Sequence, residues 1–240
     1  MKHIVLFVLM LIPSLVSAVT TTVYDFSNRT AGSNIFAFEG VSGTQIPLSN
    51  SLPSSQYSAS SYSDITSNNN VYHDYINYAK NEYPAIRYVI EIDENISNIS
   101  QLDVFWNGFG VNSKNNQIDG VLIYIWNNSN NSYELVTQNT NDWVVELSQS
   151  VTSNITDYID NDNKITVYIV SQGKTFNGET NWIGTDYFSL SITSESSVVP
   201  IANFKFDETQ YDDVAGEIKD SIGTFHSRAK SAQPVDGKVC

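Results

Sequence analysis

A single cysteine, Cys240 at the last position, rules out any disulfide within the chain, so stability has to come from packing. A lone terminal cysteine in a secreted chain points to a partner thiol in sequence beyond it. Charge is sparse, at 16% of residues, and basic charge is sparsest, with 12 Lys and Arg against 26 Asp and Glu. Between Val19 and Val199 there are 6 basic and 19 acidic residues, a net −13. That field repels phosphate backbones and anionic membrane surfaces, which makes nucleic acid a poor partner. Divalent cations and neutral sugars remain compatible with it. Beyond the first few residues the only histidines are His73 and His226, and no Gly-x-Ser-x-Gly elbow accompanies them. Nucleophilic hydrolysis therefore has no visible constellation, and zinc has no His/Cys cluster. No apolar run approaches the roughly 20 residues of a membrane-spanning helix.

What is abundant is asparagine, 26 residues, and aromatic side chains, 12% of the total with 14 Tyr. Little charge with much Asn, Ser, Thr and Tyr suits a secreted or surface-displayed β-protein. Residues 1–18 read as a secretory signal: Lys2 and His3, an apolar stretch from Ile4 to Leu15 broken by Pro13, then Val16-Ser17-Ala18 before a cleavage point. The mature chain is expected to begin near Val19 and to be extracellular.

The stretch from Pro84 to Trp126 sets the fold class. PAIRYVIEI, QLDVFW and IDGVLIYIW are β-branched and aromatic runs divided by Asn, Asp, Ser and Gly, the pattern of antiparallel strands and turns. Val121, Ile123 and Ile125 occupy one parity and Leu122, Tyr124 and Trp126 the other, so this strand is expected to be covered on both faces. NGFGVNSKNNQ after Trp106 reads as a polar loop. IYIW-NNSNNS-YELV reads as a hairpin. Tyr72–Tyr83 suits either a helical turn or a strand, and Ser150–Ile159 a short helical crossover. Ile165–Val170 is again apolar on both faces, Ser171–Thr185 reads as a long loop carrying Trp182, and Tyr187–Ile192 alternates cleanly. Some eight strands with regular turns indicate an all-β antiparallel sandwich, a jelly roll, over residues 19–193. Residues 194–200 read as a linker, and 201–240 as an incomplete second β domain, too short to bury its own core.

From Ala85 to Ile192, the runs IRYVIEI, LDVFWNGFG, VLIYIWNNSNNSYELV, SVTSNITDYIDNDNKITVYIV and TDYFSLSI resemble a galactose-binding-like jelly roll of secreted microbial surface proteins. In the tail, Phe206-Asp207-Glu208, Ala215 to Ser221 and Gly237 to Cys240 resemble the opening of a LamG, or concanavalin A-like, domain. The version most like it occurs in secreted proteins of the mannose-sensitive haemagglutinin pilus biogenesis type. The tail departs from that family at Ile222-Gly223-Thr224 and Thr209. The resemblance implies a non-catalytic module of a bacterial surface or pilus-associated protein, with glycans, cell-surface polysaccharide or other surface proteins as partners. A structural spacer of a surface stalk and an accessory module of a secreted glycoside hydrolase are the alternatives.

For sugar recognition the chemistry is an aromatic ring against the C–H face of the sugar, with amides or carboxylates for its hydroxyls. Trp106-Asn107, Asn181-Trp182 and, more weakly, Tyr57 and Tyr62 offer it, whereas Trp126 and Trp143 sit within strands and read as core. Calcium wants several oxygen ligands on one loop. Asp157, Asp160 and Asp162 are dense enough, although no Gly or distal Glu of an EF-hand loop accompanies them, and a plain turn explains them as well. Glu91 and Asp93 share a strand face, but Asn95 interrupts the row of alternating carboxylates a glycosidase would show. Sequons stand at Asn28, Asn95, Asn98, Asn127, Asn130 and Asn154.

Overall fold

A computed structural model describes residues 18–113, 119–140, 144–176, 178–196, 218–219 and 226–227. The chain divides into two compact units, one formed by Val19–Glu195 and the other by Met1–Ala18 with Ser196–Cys240. Of the second unit the described strands are β12 (Ile218–Lys219) and β13 (His226–Ser227), which pair antiparallel. The expected signal, the linker beyond Ser196 and the LamG-like opening otherwise lie outside the described residues, as does Trp143, whereas Ser194–Ser196 of the expected linker continue the last strand of the sandwich.

The unit Val19–Glu195 is the expected all-β antiparallel sandwich. Its strands are β1 (Ala18–Asp25), β2 (Ile35–Ser42), β3 (Ser55–Gln56), β4 (His73–Asn77), β5 (Tyr83–Glu91) and β6 (Ile99–Asn112). They continue as β7 (Val121–Asn127), β8 (Ser132–Asn139), β9 (Val145–Val151), β10 (Lys164–Ser171) and β11 (Asn181–Ser196). One short helix, α1 (Ala59–Asp64), starts at Ser58, whose side chain accepts from the Ser61 N–H. A six-stranded sheet runs β3-β2-β5-β10-β7-β8, and a five-stranded sheet runs β1-β11-β6-β9 with β4 also on β11. The region expected to be a helical crossover contains only a single 3₁₀ turn, Ile155–Tyr158, and Tyr72–Tyr83 resolves into β4 and the start of β5.

Inward-facing residues of both sheets make the core. Ile86, Tyr88 and Ile90 of β5 and Ile165, Val167 and Ile169 of β10 meet Leu102, Val104 and Trp106 of β6 and Phe188, Leu190 and Ile192 of β11. Tyr88 and Phe188 stack between the sheets, centroids 4.0 Å apart and planes 7° from parallel.

Strand β6 is longer than its sequence suggests. NGFGVN continues the strand to Asn112 because the inward positions after Trp106 are the glycines Gly108 and Gly110. A Cβ at position 108 would collide with the Trp106 ring and with the Gly184 carbonyl, so only glycine lets the indole lie flat along its own strand. Two glycines among asparagines resemble a loop in one dimension and a close-packed strand in three.

One end of the sandwich is tied by a buried carboxylate. Asp25 accepts from the Ser27 hydroxyl at 2.6 Å and N–H at 2.8 Å, the Asn28 N–H at 2.9 Å and the Tyr187 hydroxyl at 2.6 Å. Burial alone would raise this carboxyl, yet the Ser27, Tyr187 and Asn28 donors outweigh it and hold it below the usual aspartate value. Burial and the facing carboxylate push the Tyr187 phenol up to about 12. A carboxyl with a depressed folded pKa stabilises the fold above its unfolded pKa and loses that contribution as pH falls through the folded value. Asp25→Asn is therefore expected to lower the melting temperature at pH 7, and the gap from wild type should close below about pH 4. Thermal scans at both pH values check this, and an unchanging gap would refute it.

Candidate functional site

The outward face of the five-stranded sheet carries the one sequence-predicted tryptophan that is available to a ligand. Strand register places Trp182 of β11 between Ile76 of β4 and Val111 of β6. Trp182 is 39% exposed, Ile76 41%, and Tyr78, just beyond β4, 72%. The next row is Asp74, Gly184 and Phe109. A Cβ on Gly184 would run into both the Phe109 ring and the Asp74 carboxylate, so both reach over this glycine from either side. Tyr72 packs against Phe109, centroids 5.5 Å apart. Partial burial raises the Asp74 carboxyl, with His73 pulling the other way.

Behind that row the sheet is braced by a buried acid. Strand β11 has a register shift between Thr185 and Tyr187, with Asp186 as the extra residue. Its carboxylate is wholly buried and accepts the backbone N–H groups of Asn69 at 3.2 Å and Asn70 at 3.1 Å, and Asn107 Nδ2 at 3.1 Å. Asn107 also donates to Asn68 Oδ1 at 2.6 Å, and Asn68 to Glu146 at 2.9 Å. These bonds fix the segment leading into Tyr72 and Asp74. Nothing in the sequence singles out Asp186, because a bulge leaves no mark in the alternation around it.

The other expected sugar contacts need correcting. Trp106 is fully buried in the core, its Nε1–H donating to Thr185 Oγ1 at 2.9 Å, so its ring cannot stack on a ligand. Asn107 does face outward, but it is buried beneath the bracing network. Asn181 points inward and is also fully buried, bonded to Ser171 at 3.1 Å and to the Gly173 carbonyl. Tyr57 and Tyr62 are buried next to each other, centroids 5.8 Å apart. Trp182 itself lies within a strand rather than on a loop, because β11 begins at Asn181.

The three aspartates expected to hold calcium do not converge. Asp157 accepts from Ser129 at 2.7 Å. Asp160 closes its own turn, accepting the Asp162 and Lys164 N–H groups at 2.8 Å, and Asp162 faces Lys164 Nζ at 3.7 Å. Each is used by a turn, and among the described residues no group of three or more His, Cys, Asp or Glu is placed to share a metal. The donor set does not fit calcium. Nor do the acids after β5 form a catalytic row: Asp93 pairs with Arg29 at 2.7 Å and Glu94 accepts the Tyr24 hydroxyl. His73 is engaged with Glu39 at 2.6 Å and lies against the Tyr57 ring.

The fold defines an antiparallel β-sandwich with an aromatic patch on one outer face. Residues 32–194, nearly the whole of that sandwich, match the family AF_1625_C, described as "Uncharacterized protein, C-terminal domain". The chain belongs to that family. No curated protein matches it. Among solved structures, a point mutant of CBM29-2, a family 29 carbohydrate-binding module, is 15% identical and aligns over 76% of this chain and 99% of its own, with a TM-score of 0.32. A similarity of that size fixes neither fold nor ligand here.

Proposed function

We propose that this protein is a non-catalytic carbohydrate-binding module, exported from the cell and carried at its surface within a larger protein. The observation that carries the reading is Trp182, exposed on the outer face of a sheet between Ile76 and Val111 with the Asp74 carboxylate one row away. An aromatic face takes the C–H side of a sugar ring, and a carboxylate beside it accepts from sugar hydroxyls. Placement on three paired strands keeps both groups oriented before the ligand arrives, which limits the entropic cost of binding. Among the described residues no basic side chain stands in the rows around Trp182, while Asp74 lies one row away and Glu146 one row further, which favours a neutral glycan on this face.

A glycan array probed with the full chain should show binding that survives chelation of calcium, since the Asp157, Asp160 and Asp162 carboxylates serve turns. Trp182→Ala should weaken that binding at least tenfold, about 1.4 kcal/mol, while the unfolding midpoint stays near wild type because the side chain is a surface one. A folded protein silent across the array would leave a structural spacer as the better account.

A further inference from the structure

Strand β1 carries a feature that the Trp182 reading does not use. Among the described strands it pairs with β11 alone and ends its sheet. Residues Val19–Val23 are exposed on both parities, Val19 by 60% and Val23 by 41%, whereas the next residue, Tyr24, is fully buried. The strand therefore runs past the core with both faces in the open. Its partner strand keeps it ordered there: Thr20 Oγ1 lies 3.0 Å from Ser194 Oγ, and Thr21 Oγ1 lies 3.2 Å from Thr193 Oγ1.

An outer strand presents N–H and C=O groups that template pairing with another chain, and folds ordinarily guard it with charge, proline, a bulge or shortness. The other outer strands follow that rule. β9 carries Glu146, β8 carries Glu134, β4 carries His73 and Asp74, and β3 has two residues. β1 has no charged residue and no proline before Asp25. On a domain whose net −13 repels its own copies, it is a neutral stretch. The Asn28 side chain shows which backbone groups face away from β11. Its Nδ2 donates to the Val23 carbonyl at 2.8 Å, and its Oδ1 accepts the Asp25 N–H at 3.2 Å. Alternation then turns the N–H and C=O groups of Val19 and Thr21 to that same edge.

We propose that β1 is a homodimerisation edge. Two copies of this chain pair their β1 strands antiparallel about a two-fold axis at Thr21, joining two five-stranded sheets into one. Val19-Thr20-Thr21-Thr22-Val23 reads the same in both directions. Pairing centred on Thr21 sets like against like: Val19 on Val23, Thr20 on Thr22 and Thr21 on itself. A two-fold interface requires such self-complementarity, and β-branched and Thr–Thr pairs are favourable across antiparallel strands. Parity agrees, because Thr21 and the two valines are the residues whose backbone groups face the edge, so each falls in a hydrogen-bonded pair. The Val23 carbonyl keeps a second lone pair beside its bond from Asn28. A slide of the register toward Asp25 would bring an acid and the Asn28 cap into the pair. Five paired residues are few beside the roughly 1,600 Å² of a standard interface, so the dimer forms and dissociates with concentration. Cross-strand neighbours point to the same side of a sheet, so both Trp182 faces lie on one side of the joined sheet. That bivalence rests on the glycan reading, whereas the dimer does not.

The test is sedimentation velocity of the full chain over a wide concentration range, with reductant present so that Cys240 cannot cross-link copies. Wild type should pass from monomer to dimer. Thr21→Lys sets two ammonium groups opposite each other, and Thr21→Pro removes the outward N–H. Each should weaken dimerisation at least tenfold. The melting temperature of dilute protein should stay near wild type, because the side chain is exposed and the N–H faces away from β11. Should Thr21→Pro fail to fold, Thr21→Lys leaves the backbone donors in place and still decides the question. In a Cys240→Ser background, Thr21→Cys should oxidise to a covalent dimer, since a hydrogen-bonded antiparallel pair sets its Cα atoms about 5.5 Å apart, within disulfide reach. Thr22→Cys, equally exposed but not opposite itself, should cross-link far less. A monomer at every concentration would overturn the proposal, as would association that survives both Thr21 variants. Equal cross-linking through the two cysteine variants would overturn the register.

Discussion

Trp106→Ala is expected to destabilise the sandwich by about 3–5 kcal/mol, the range for emptying a buried aromatic site. The indole is fully buried and lies flat over Gly108. Its neighbours Gly108 and Thr185 face each other on hydrogen-bonded strands, which cannot collapse into the space it leaves. Thr185 Oγ1 loses one of two partners as well, the other being the Tyr88 hydroxyl at 2.9 Å. Against a typical domain stability of about 5–15 kcal/mol, a large fraction disappears. Trp106→Phe keeps most of the volume and loses the N–H donor, so a cost of about 1–2 kcal/mol is expected. Urea unfolding of the three proteins orders them wild type, Phe, Ala. A change under about 1 kcal/mol for the alanine variant would contradict the placement of the ring.

The contrast between Trp106 and Trp182 shows how far the sequence could be read. Trp106 is followed and Trp182 preceded by asparagine, and the sequence places the first at a strand end and the second on a long loop, so composition treats both as open to a ligand. What separates them is parity along a strand whose true length was hidden. Glycines 108 and 110 disguised the continuation of β6, and Asn181 and Gly184 disguised the beginning of β11. With the strands at full length, alternation sends Trp106 and Asn181 inward and Trp182 outward. The long apolar runs carried no such ambiguity: Val121–Trp126 and Ile165–Val170 are buried on both faces, as their double parity required. Their inner residues belong to the main core, and their outer ones, Leu122, Tyr124, Trp126, Tyr168 and Val170, form the second cluster beside Arg87. A sequence can announce that a strand is covered twice. It cannot announce that one of the covering groups is a buried guanidinium, because Arg87 reads as an ordinary polar interruption of IRYVIEI.

Asp186→Ala is the change expected to couple the fold to the glycan face. The carboxylate is buried and is held by three N–H donors, from Asn69, Asn70 and the Asn107 side chain. Hydrogen bonds to a charged group contribute about 1.5–3 kcal/mol each, and an orphaned buried donor costs about 1–3 kcal/mol. Removing the acid also relieves the burial of its charge, so the net loss should be about 3 kcal/mol rather than the sum. Asp186→Asn does not rescue the loss, because its amide turns a donor toward donors. The freed segment is the one that delivers Tyr72 and Asp74 to the edge of the Trp182 row. Glycan affinity should therefore fall even though Asp186 touches no ligand, and amide exchange at Asn69 and Asn70 should rise before global unfolding. A positioning role predicts both changes together. If the amides exchange faster and glycan binding is unaltered, the bracing of Asp74 is irrelevant to recognition, and Trp182 with its two aliphatic neighbours suffices for the site.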